Sequence, residues 1–320
     1  MRIGLDVGGT KTDAVAVTET GELAARVRLP TGWGPDAVVQ TIVDAVAALE
    51  AEPALAGRAA SIGVGMPGQV APGGTRVLHA VNLGVEELDL AAALAPRLGI
   101  GRVRIENDVK AAALGAYALR GIPGSMAYLN LGTGVAAGFV FDGRLWRGAR
   151  GTAGEVGHIS VGPDGPLCRC GQHGCIEAFA GGAAIAARWG RPAALPVRDV
   201  FDAADGGDPD AAALRAGLAH GVAAAVRVLV LTADVDAVVL GGGVSRLGER
   251  LAGDVRRALR ASASSSAFLR SLHLDERVEL LPAASPAAAL GAALIGAGVD
   301  AGVGSGLDTG LDAEQAVPRG

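Results

Sequence analysis

The chain opens Arg2-Ile3-Gly4-Leu5-Asp6-Val7-Gly8-Gly9-Thr10-Lys11, and a second apolar run follows through Val17. The pattern predicts a strand over Arg2–Val7, a tight turn at Gly8-Gly9-Thr10-Lys11 and a returning strand over 12–17. The same design recurs about 120 residues later. A strand over 126–131 leads into the turn Gly132-Thr133-Gly134, and a strand over Val135–Phe141 ends at Asp142-Gly143. A chain that builds one glycine turn twice reads as a duplicated half-domain. Two such turns facing each other can hold one phosphate chain between them.

Working outward, strands alternate with helices, which argues an α/β fold. Helices are expected over Pro35–Glu50, 85–98, 107–119, 183–189, 197–204, 209–232, 244–260 and 285–298. Further strands are expected over 59–64, 103–106, 235–240 and 278–281. The break Gly121-Ile122-Pro123-Gly124 marks a boundary. It divides an N-terminal lobe, 1–120, completed by the last helix at about 286–300, from a C-terminal lobe, 121–285. Residues 301–320 are polar and glycine-rich and are expected to be a disordered tail.

Composition narrows the function classes. At 320 residues, half of them hydrophobic, the chain can bury about two domain cores. A net charge of −5 without a basic block gives no reason to expect nucleic acid or a membrane surface as partner. The first strand begins at once, so no signal peptide is visible, and the alanine-rich run at 286–299 is too short to span a bilayer. A soluble cytoplasmic protein is expected. Only Lys11 and Lys110 are lysines, and only Asn82, Asn107 and Asn130 are asparagines. Four of these five fall in the segments singled out on other grounds.

Glycine lets backbone N–H groups approach phosphate oxygens, and successive N–H groups form an anion-binding concavity. Asp6, at the end of the first strand, would repel bare phosphate. It makes sense beside a cation, and Mg²⁺ is the natural one. Gly63-x-Gly65-x-x-Gly68 formally fits a dinucleotide fingerprint. Pro67 sits just inside its last glycine, however, and the acidic residues downstream, Glu86 and Glu87, fall in the expected helix. No Walker A sequence is present. At Glu106-Asn107-Asp108 a strand leads into a helix. Asn107 suits the N-cap, and Asp108 then lies in the first turn, where the helix dipole favours its charge. Asp108 can be a capping aid alone, or a carboxylate held rigidly toward a substrate hydroxyl.

The three cysteines lie within eight residues, Cys168-Arg169-Cys170-Gly171-Gln172-His173-Gly174-Cys175, and His158 lies ten residues upstream. Three thiolates and one imidazole complete a tetrahedral zinc shell with no open position, which makes the site structural. His173 is a rival fourth ligand, but it lies inside the loop and competes poorly with His158. An odd cysteine count without a signal peptide argues against a disulfide. Such an ion can contribute on the order of 10 kcal/mol to ordering its segment. Glu155 and Glu177 flank the loop, which spans 155–177, and the metal would fix both carboxylates. Paired carboxylates suit sugar hydroxyls, since hydrogen bonds to charged groups are worth about 1.5–3 kcal/mol each.

Together these segments resemble the ROK family (repressors, uncharacterised reading frames and sugar kinases) over roughly residues 2–300. The resemblance rests on Asp6-Val7-Gly8-Gly9-Thr10-Lys11, on Glu106-Asn107-Asp108 with Ala111-Ala112-Ala113-Leu114-Gly115, and on Leu131-Gly132-Thr133-Gly134. It rests above all on Glu155-x-Gly157-His158 with Cys168-x-Cys170-Gly171-x-x-Gly174-Cys175-x-Glu177. Leu240-Gly241-Gly242-Gly243 resembles the adenosine-side motif. The resemblance implies an actin-like, ribonuclease H-like duplicated fold of two lobes with a central cleft. It implies an ATP-dependent hexokinase-type enzyme, with glucose at its 6-hydroxyl as the leading substrate. N-acetylmannosamine, N-acetylglucosamine, mannose, fructose and allose remain alternatives, as does a sugar sensor without catalysis. It implies Asp108 as general base, and Gly68, Asn82, Asn107, Glu155, His158 and Glu177 as sugar contacts, so that His158 serves both zinc and sugar. Phosphates would be held by Thr10, Lys11, Thr133 and the glycine amides. A homodimer or homotetramer is implied. Lys110 and Ala116 depart from the Asn and Glu of many relatives, and Asn82-Leu83-Gly84 is a shortened form of the family's Asn-Leu-Pro-Gly-Trp segment. No helix-turn-helix of the repressor members is expected before residue 6.

Overall fold

The structure is a computed structural model that describes residues 1–53, 55, 59–71, 74–99 and 103–298. The expected tail at 301–320 lies outside the described residues. The chain divides into two compact units. One comprises Met1–Pro123, Asp142–Leu145 and the stretch from Pro286 that holds the last helix; the other comprises Gly124–Phe141 and Trp146–Ser285.

In the first unit, strands β1 (Arg2–Val7), β2 (Lys11–Val17) and β3 (Leu23–Pro30) form a meander, followed by helix α1 (Pro35–Glu50) and strand β4 (Ser61–Met66). Strands β5 (Gln69–Val70), β6 (Arg76–Ala80) and β7 (Val85–Asp89), helix α2 (Leu90–Leu98), strand β8 (Val103–Asn107) and helix α3 (Asp108–Arg120) complete its first pass. The main sheet has the order β3-β2-β1-β4-β8, with β1, β4 and β8 parallel. Its apolar face, with Ile3, Leu5, Ile62, Val64 and Ile105, packs on α1 residues Val38, Ile42 and Leu49.

The second unit's sheet begins with β9 (Ser125–Leu131), β10 (Val135–Phe141) and β11 (Arg144–Trp146, of which Trp146 falls in this unit), and helices α4 (Ile176–Ala180), α5 (Gly182–Trp189), α6 (Pro196–Asp205) and α7 (Pro209–Ala233) follow. Strand β12 (Ala237–Gly241), helices α8 (Glu249–Ala263) and α9 (Ala267–Ser271) and strand β13 (Val278–Leu280) follow. Its sheet runs β11-β10-β9-β12-β13, the same order of first to fifth strand as in the first unit. A separate core gathers Leu129, Leu131, Phe201, Val222, Val226 and Leu240. Helix α7 is long and apolar enough to cross a membrane, a property that the sequence reading did not register. Half of its apolar window is buried, and it packs against α4, α6 and α8, as the core helix of a folded unit does.

The last helix, α10 (Ala287–Ala297), packs on β1, β4 and α3. Its alanines and glycines let backbone meet backbone. A Cβ on Gly4, Gly63 or Gly115 would overlap the carbonyl oxygens of Ala289, Ala292 and Ala287 respectively. Gly63 therefore serves helix packing and not a dinucleotide.

Several elements differ from the sequence reading. The helix expected over 85–98 is strand β7 followed by α2. Val85-Glu86-Glu87-Leu88-Asp89 pairs with β6, and Asp89 caps α2 by accepting from the Ala92 N–H at 3.0 Å. Glu86 and Glu87 thus lie on a strand, so the helical placement used against the dinucleotide reading does not hold; the roles of the three glycines exclude it instead. The helix expected over 244–260 is a 3₁₀ turn, Val244–Leu247, and then α8. Gly248, at φ 61°, separates the two.

Candidate active site

The functional segments of the first unit converge on the carboxyl ends of its parallel strands, where ligands of open α/β sheets bind. Register places Asp6 of β1 beside Gly65 of β4, and Gly65 beside Glu106 of β8. Asn107 ends β8 and caps α3. Its Oδ1 accepts from the N–H groups of Val109 and Lys110 at 3.1 and 3.2 Å, while its Nδ2 donates to the Gly68 carbonyl at 3.2 Å. Gly68 must be glycine: φ is 99°, and a Cβ would stand 2.6 Å from the Leu78 carbonyl oxygen. Asp108 follows as the first residue of α3, its Oδ1 accepting from the Val109 N–H at 2.9 Å. Gly65 allows α3 to come close, since a Cβ there would be 3.7 Å from the Asp108 Cα.

The first glycine turn is closed by Gly8 N–H donating to the Lys11 carbonyl at 3.0 Å. Asn82 overhangs it, its carbonyl oxygen 2.8 Å from where a Cβ of Gly9 would be. Thr10 and Lys11 are exposed. The Thr10 carbonyl accepts from Thr31 N–H at 3.2 Å, and Gly34 N–H donates to Leu83 at 2.8 Å, so the 31–34 loop braces both the turn and the Asn82 segment. Trp33, on that loop, is 71 % exposed and rests on Gly84. It carried no signal in the sequence beyond being a lone aromatic.

Asp6 is electrostatically uncomfortable. Burial first, then the charge of Asp108, pushes its pKa from 3.8 up to about 7. Its cross-strand partner Asp13 is held below the usual carboxylate range by hydrogen bonds from Arg26 and Arg28, 2.8 and 2.9 Å long, against the opposing effect of burial. Asp6 makes no ion pair among the described residues. A half-buried carboxylate so placed, beside a second carboxylate and under a glycine turn, fits a hard divalent cation.

In the second unit, Gly132, Thr133 and Gly134 join β9 to β10. Gly132 N–H donates to Gly134 at 3.0 Å, and the first N–H groups of α5, from Gly182 and Ala183, donate to the carbonyls of Gly132 and Thr133 at 2.9 and 3.1 Å. Glu177 of α4 packs against Gly134 and accepts from the Val135 N–H at 3.0 Å. Gly157 in turn packs on the Val135 carbonyl and the Glu177 Cβ, which fixes the Glu155–His158 turn beside α4. A cavity of about 380 Å³ opens next to this turn, lined by Thr133, Gly134, Glu177, Arg169 and Arg188 among others. Gly241, Gly242 and Gly243 lie at the end of the neighbouring strand, β12, where Gly241 pairs with Asn130.

His158, Cys168, Cys170 and Cys175 form one cluster whose ligand atoms all lie within 4.8 Å of one another. The Cys170 and Cys175 sulfurs are 3.6 Å apart, and His158 Nδ1 is 3.9 Å from Cys168 Sγ. A tetrahedron with Zn–S bonds of about 2.3 Å needs ligand separations of about 3.8 Å, so the donor set and spacing fit zinc. His173 is turned away, its Nδ1 3.1 Å from the Gly165 carbonyl oxygen, which removes it as a rival ligand. Burial pushes the Cys175 thiol up to about 12, while hydrogen bonds from Gln172 lower Cys170 to about 6.

Two sheets of identical order, each with a glycine turn closing its first hairpin, define the duplicated actin-like ATPase class. Within it, the chain belongs to the ROK family, whose sequence profile matches residues 2–297. It is 34 % identical over 283 residues to a glucokinase of Streptomyces coelicolor, covering 81 % of this chain and 87 % of that one. It is 35 % identical over 245 residues to an N-acetylmannosamine kinase of Shigella boydii, with coverages of 76 % and 82 %. A ROK family glucokinase from Streptomyces griseus, solved in complex with glucose and AMPPNP, superposes with a TM-score of 0.75 at 29 % identity, covering 92 % of this chain and 98 % of that one.

Proposed function

We propose that this protein transfers the γ-phosphoryl group of ATP to a hexose, with glucose at its 6-hydroxyl as the leading acceptor and N-acetylmannosamine as the main alternative. The observation that carries the reading is the placement of Asp108 at the start of α3, with Asp6 close enough to feel its charge. Phosphoryl transfer is mostly positioning, and it needs a carboxylate to orient the attacking hydroxyl and accept its proton. Asp108 does this from a helix terminus fixed by Asn107, and Asn107 is itself tied to Gly68.

Mg²⁺ bound with the nucleotide would supply charge neutralisation, and Asp6 is the side chain that would hold it. The backbone N–H groups of the turns at 8–11 and 132–134, with Thr10, Lys11 and Thr133, bind phosphates; Gly241, Gly242 and Gly243 take the nucleoside side. Glu155, His158 and Glu177 grip sugar hydroxyls from the zinc loop, with Asn82, Asn107 and Gly68 as contacts on the first unit. Zinc would be held by His158, Cys168, Cys170 and Cys175 and would act structurally, because four protein ligands leave no position for water. We place the reaction in the cytoplasm, as expected for an ATP-dependent sugar kinase.

The test is a panel of hexoses with Mg-ATP, read as ADP release. Asp108→Ala should lower kcat by about 10²–10⁴-fold, the usual worth of a general base, while calorimetry still detects hexose binding. Near-normal turnover in that variant would remove the assignment.

A further inference from the structure

Asn130 lies near the end of β9, paired in register with Gly241 of β12. Its side-chain amide touches both glycine motifs of the second unit. Nδ2 stands 3.2 Å from the position a Cβ of Gly132 would take, and Oδ1 stands 2.7 Å from that of Gly242. Neither turn needs this amide for its shape. The first is closed by Gly132 N–H on the Gly134 carbonyl and anchored by α5; the second is held by Ser245 Oγ donating to the Gly242 carbonyl at 2.9 Å. The amide is half-buried, and among the described residues it makes no hydrogen bond with protein. The amide is partly open to solvent between the two turns, so its two donors and its acceptor are available to a ligand seated on them.

We infer that Asn130 reads the nucleotide. Its amide meets the ribose–phosphate segment of the phosphoryl donor, in register between the phosphate turn at 132–134 and the nucleoside-side glycines at 241–243. This rests on the kinase reading above and adds a residue to it. The ligand chemistry is specific: an N–H₂ donor suits a phosphate oxygen, and the amide oxygen suits a ribose hydroxyl.

Asn130→Asp is the sharpest probe, because it keeps the shape and replaces the donor by a negative charge facing phosphates. The KM for ATP should rise by at least about 30-fold in Asn130→Asp and about tenfold in Asn130→Ala, since charged mismatches cost more than lost neutral hydrogen bonds. The KM for the hexose and the melting temperature should stay at their wild-type values. An ATP KM unchanged in both variants would overturn the inference, and so would ATP and hexose KM values rising together, which marks a structural role. A wild type that phosphorylates no sugar would instead overturn the kinase reading. Calorimetry with a non-hydrolysable ATP analogue then decides Asn130: a dissociation constant equal to that of Asn130→Asp, or no binding by the wild type, counts against it.

Discussion

Glu177 Oε2 accepts a hydrogen bond from the Val135 backbone N–H at 3.0 Å, and the same carboxylate lies against Gly134. The residue that leaves the metal loop therefore buttresses the second glycine turn. One side chain supports the fold through one oxygen and is proposed to meet the sugar with its charge. Glu177→Gln separates the two roles, because a glutamine oxygen can still accept from Val135. The melting temperature of Glu177→Gln should match the wild type, while its hexose KM rises about tenfold or more, as expected for a lost charged hydrogen bond. Glu177→Ala leaves the Val135 N–H without its partner and should also destabilise by about 1–3 kcal/mol. Paired thermal melts and hexose titrations of the two variants check this.

The cluster geometry assigns the fourth metal ligand to His158 over His173. Protein purified from zinc-supplemented cells should contain one zinc per chain by elemental analysis. His173→Ala should keep it, and His158→Ala should lose most of it. Removal of such an ion with a chelator should lower the melting temperature and weaken hexose binding, because the proposed sugar carboxylates Glu155 and Glu177 sit at the two ends of the loop that the ion would brace.

Asp6 gives a pH signature of definite sign. Its folded pKa of about 7 lies above the 3.8 of the free group, so the native state holds this proton more tightly than the unfolded state does. Its contribution to stability is most favourable below about pH 4, declines as pH rises through the window from 4 to 7, and is then constant. Holding the ionised group in place costs at most about 4 kcal/mol above pH 7, at about 1.4 kcal/mol per pKa unit. Asp6→Asn should therefore melt at the same temperature as the wild type near pH 4 and above it at pH 8, while losing Mg-ATP turnover. Mg-nucleotide binding to the wild type at pH 6.5 should also release protons, which calorimetry in buffers of different ionisation enthalpy detects. Equal melting of the two proteins at pH 8 would contradict the raised pKa of this carboxylate.

Much of the fold was legible because its signals are local. The two hairpins advertise themselves through glycine turns between apolar runs, and α3 through Asn107 as cap and Gly121, at φ 64°, as stop. What was missed depends on pairing. Strand β3 alternates half-buried and exposed residues but contains Arg26 and Arg28, whose charges make sense only against Asp13 across the hairpin. Val85-Glu86-Glu87-Leu88 has helix-forming residues and becomes a strand because β6 offers it a partner. At the site, the cysteine spacing exposed the metal cluster directly, and the structure groups with the cysteines the same His158 that the sequence prefers over His173, which lies inside the loop. Asn130 was visible only as one of three asparagines. Its position between two glycine motifs arises from the parallel pairing of β9 with β12, which no local pattern encodes.

Glycine substitutions distinguish packing from ligand approach. Gly63 touches α10 so closely that a methyl group would enter the Ala292 carbonyl, and both neighbours are backbone that cannot turn aside. Gly63→Ala should destabilise by about 3 kcal/mol or more, at or above the usual range for overpacking, and should yield little soluble protein. Gly243 is the opposite case: it has nothing within 4 Å of its would-be Cβ and an α-region φ of −65° that alanine adopts freely. Gly243→Ala should melt within a degree or two of the wild type. Any rise in the KM for ATP then reports directly on how closely the nucleoside approaches the end of β12. An unchanged ATP KM in this well-folded variant would move the nucleoside away from Gly243.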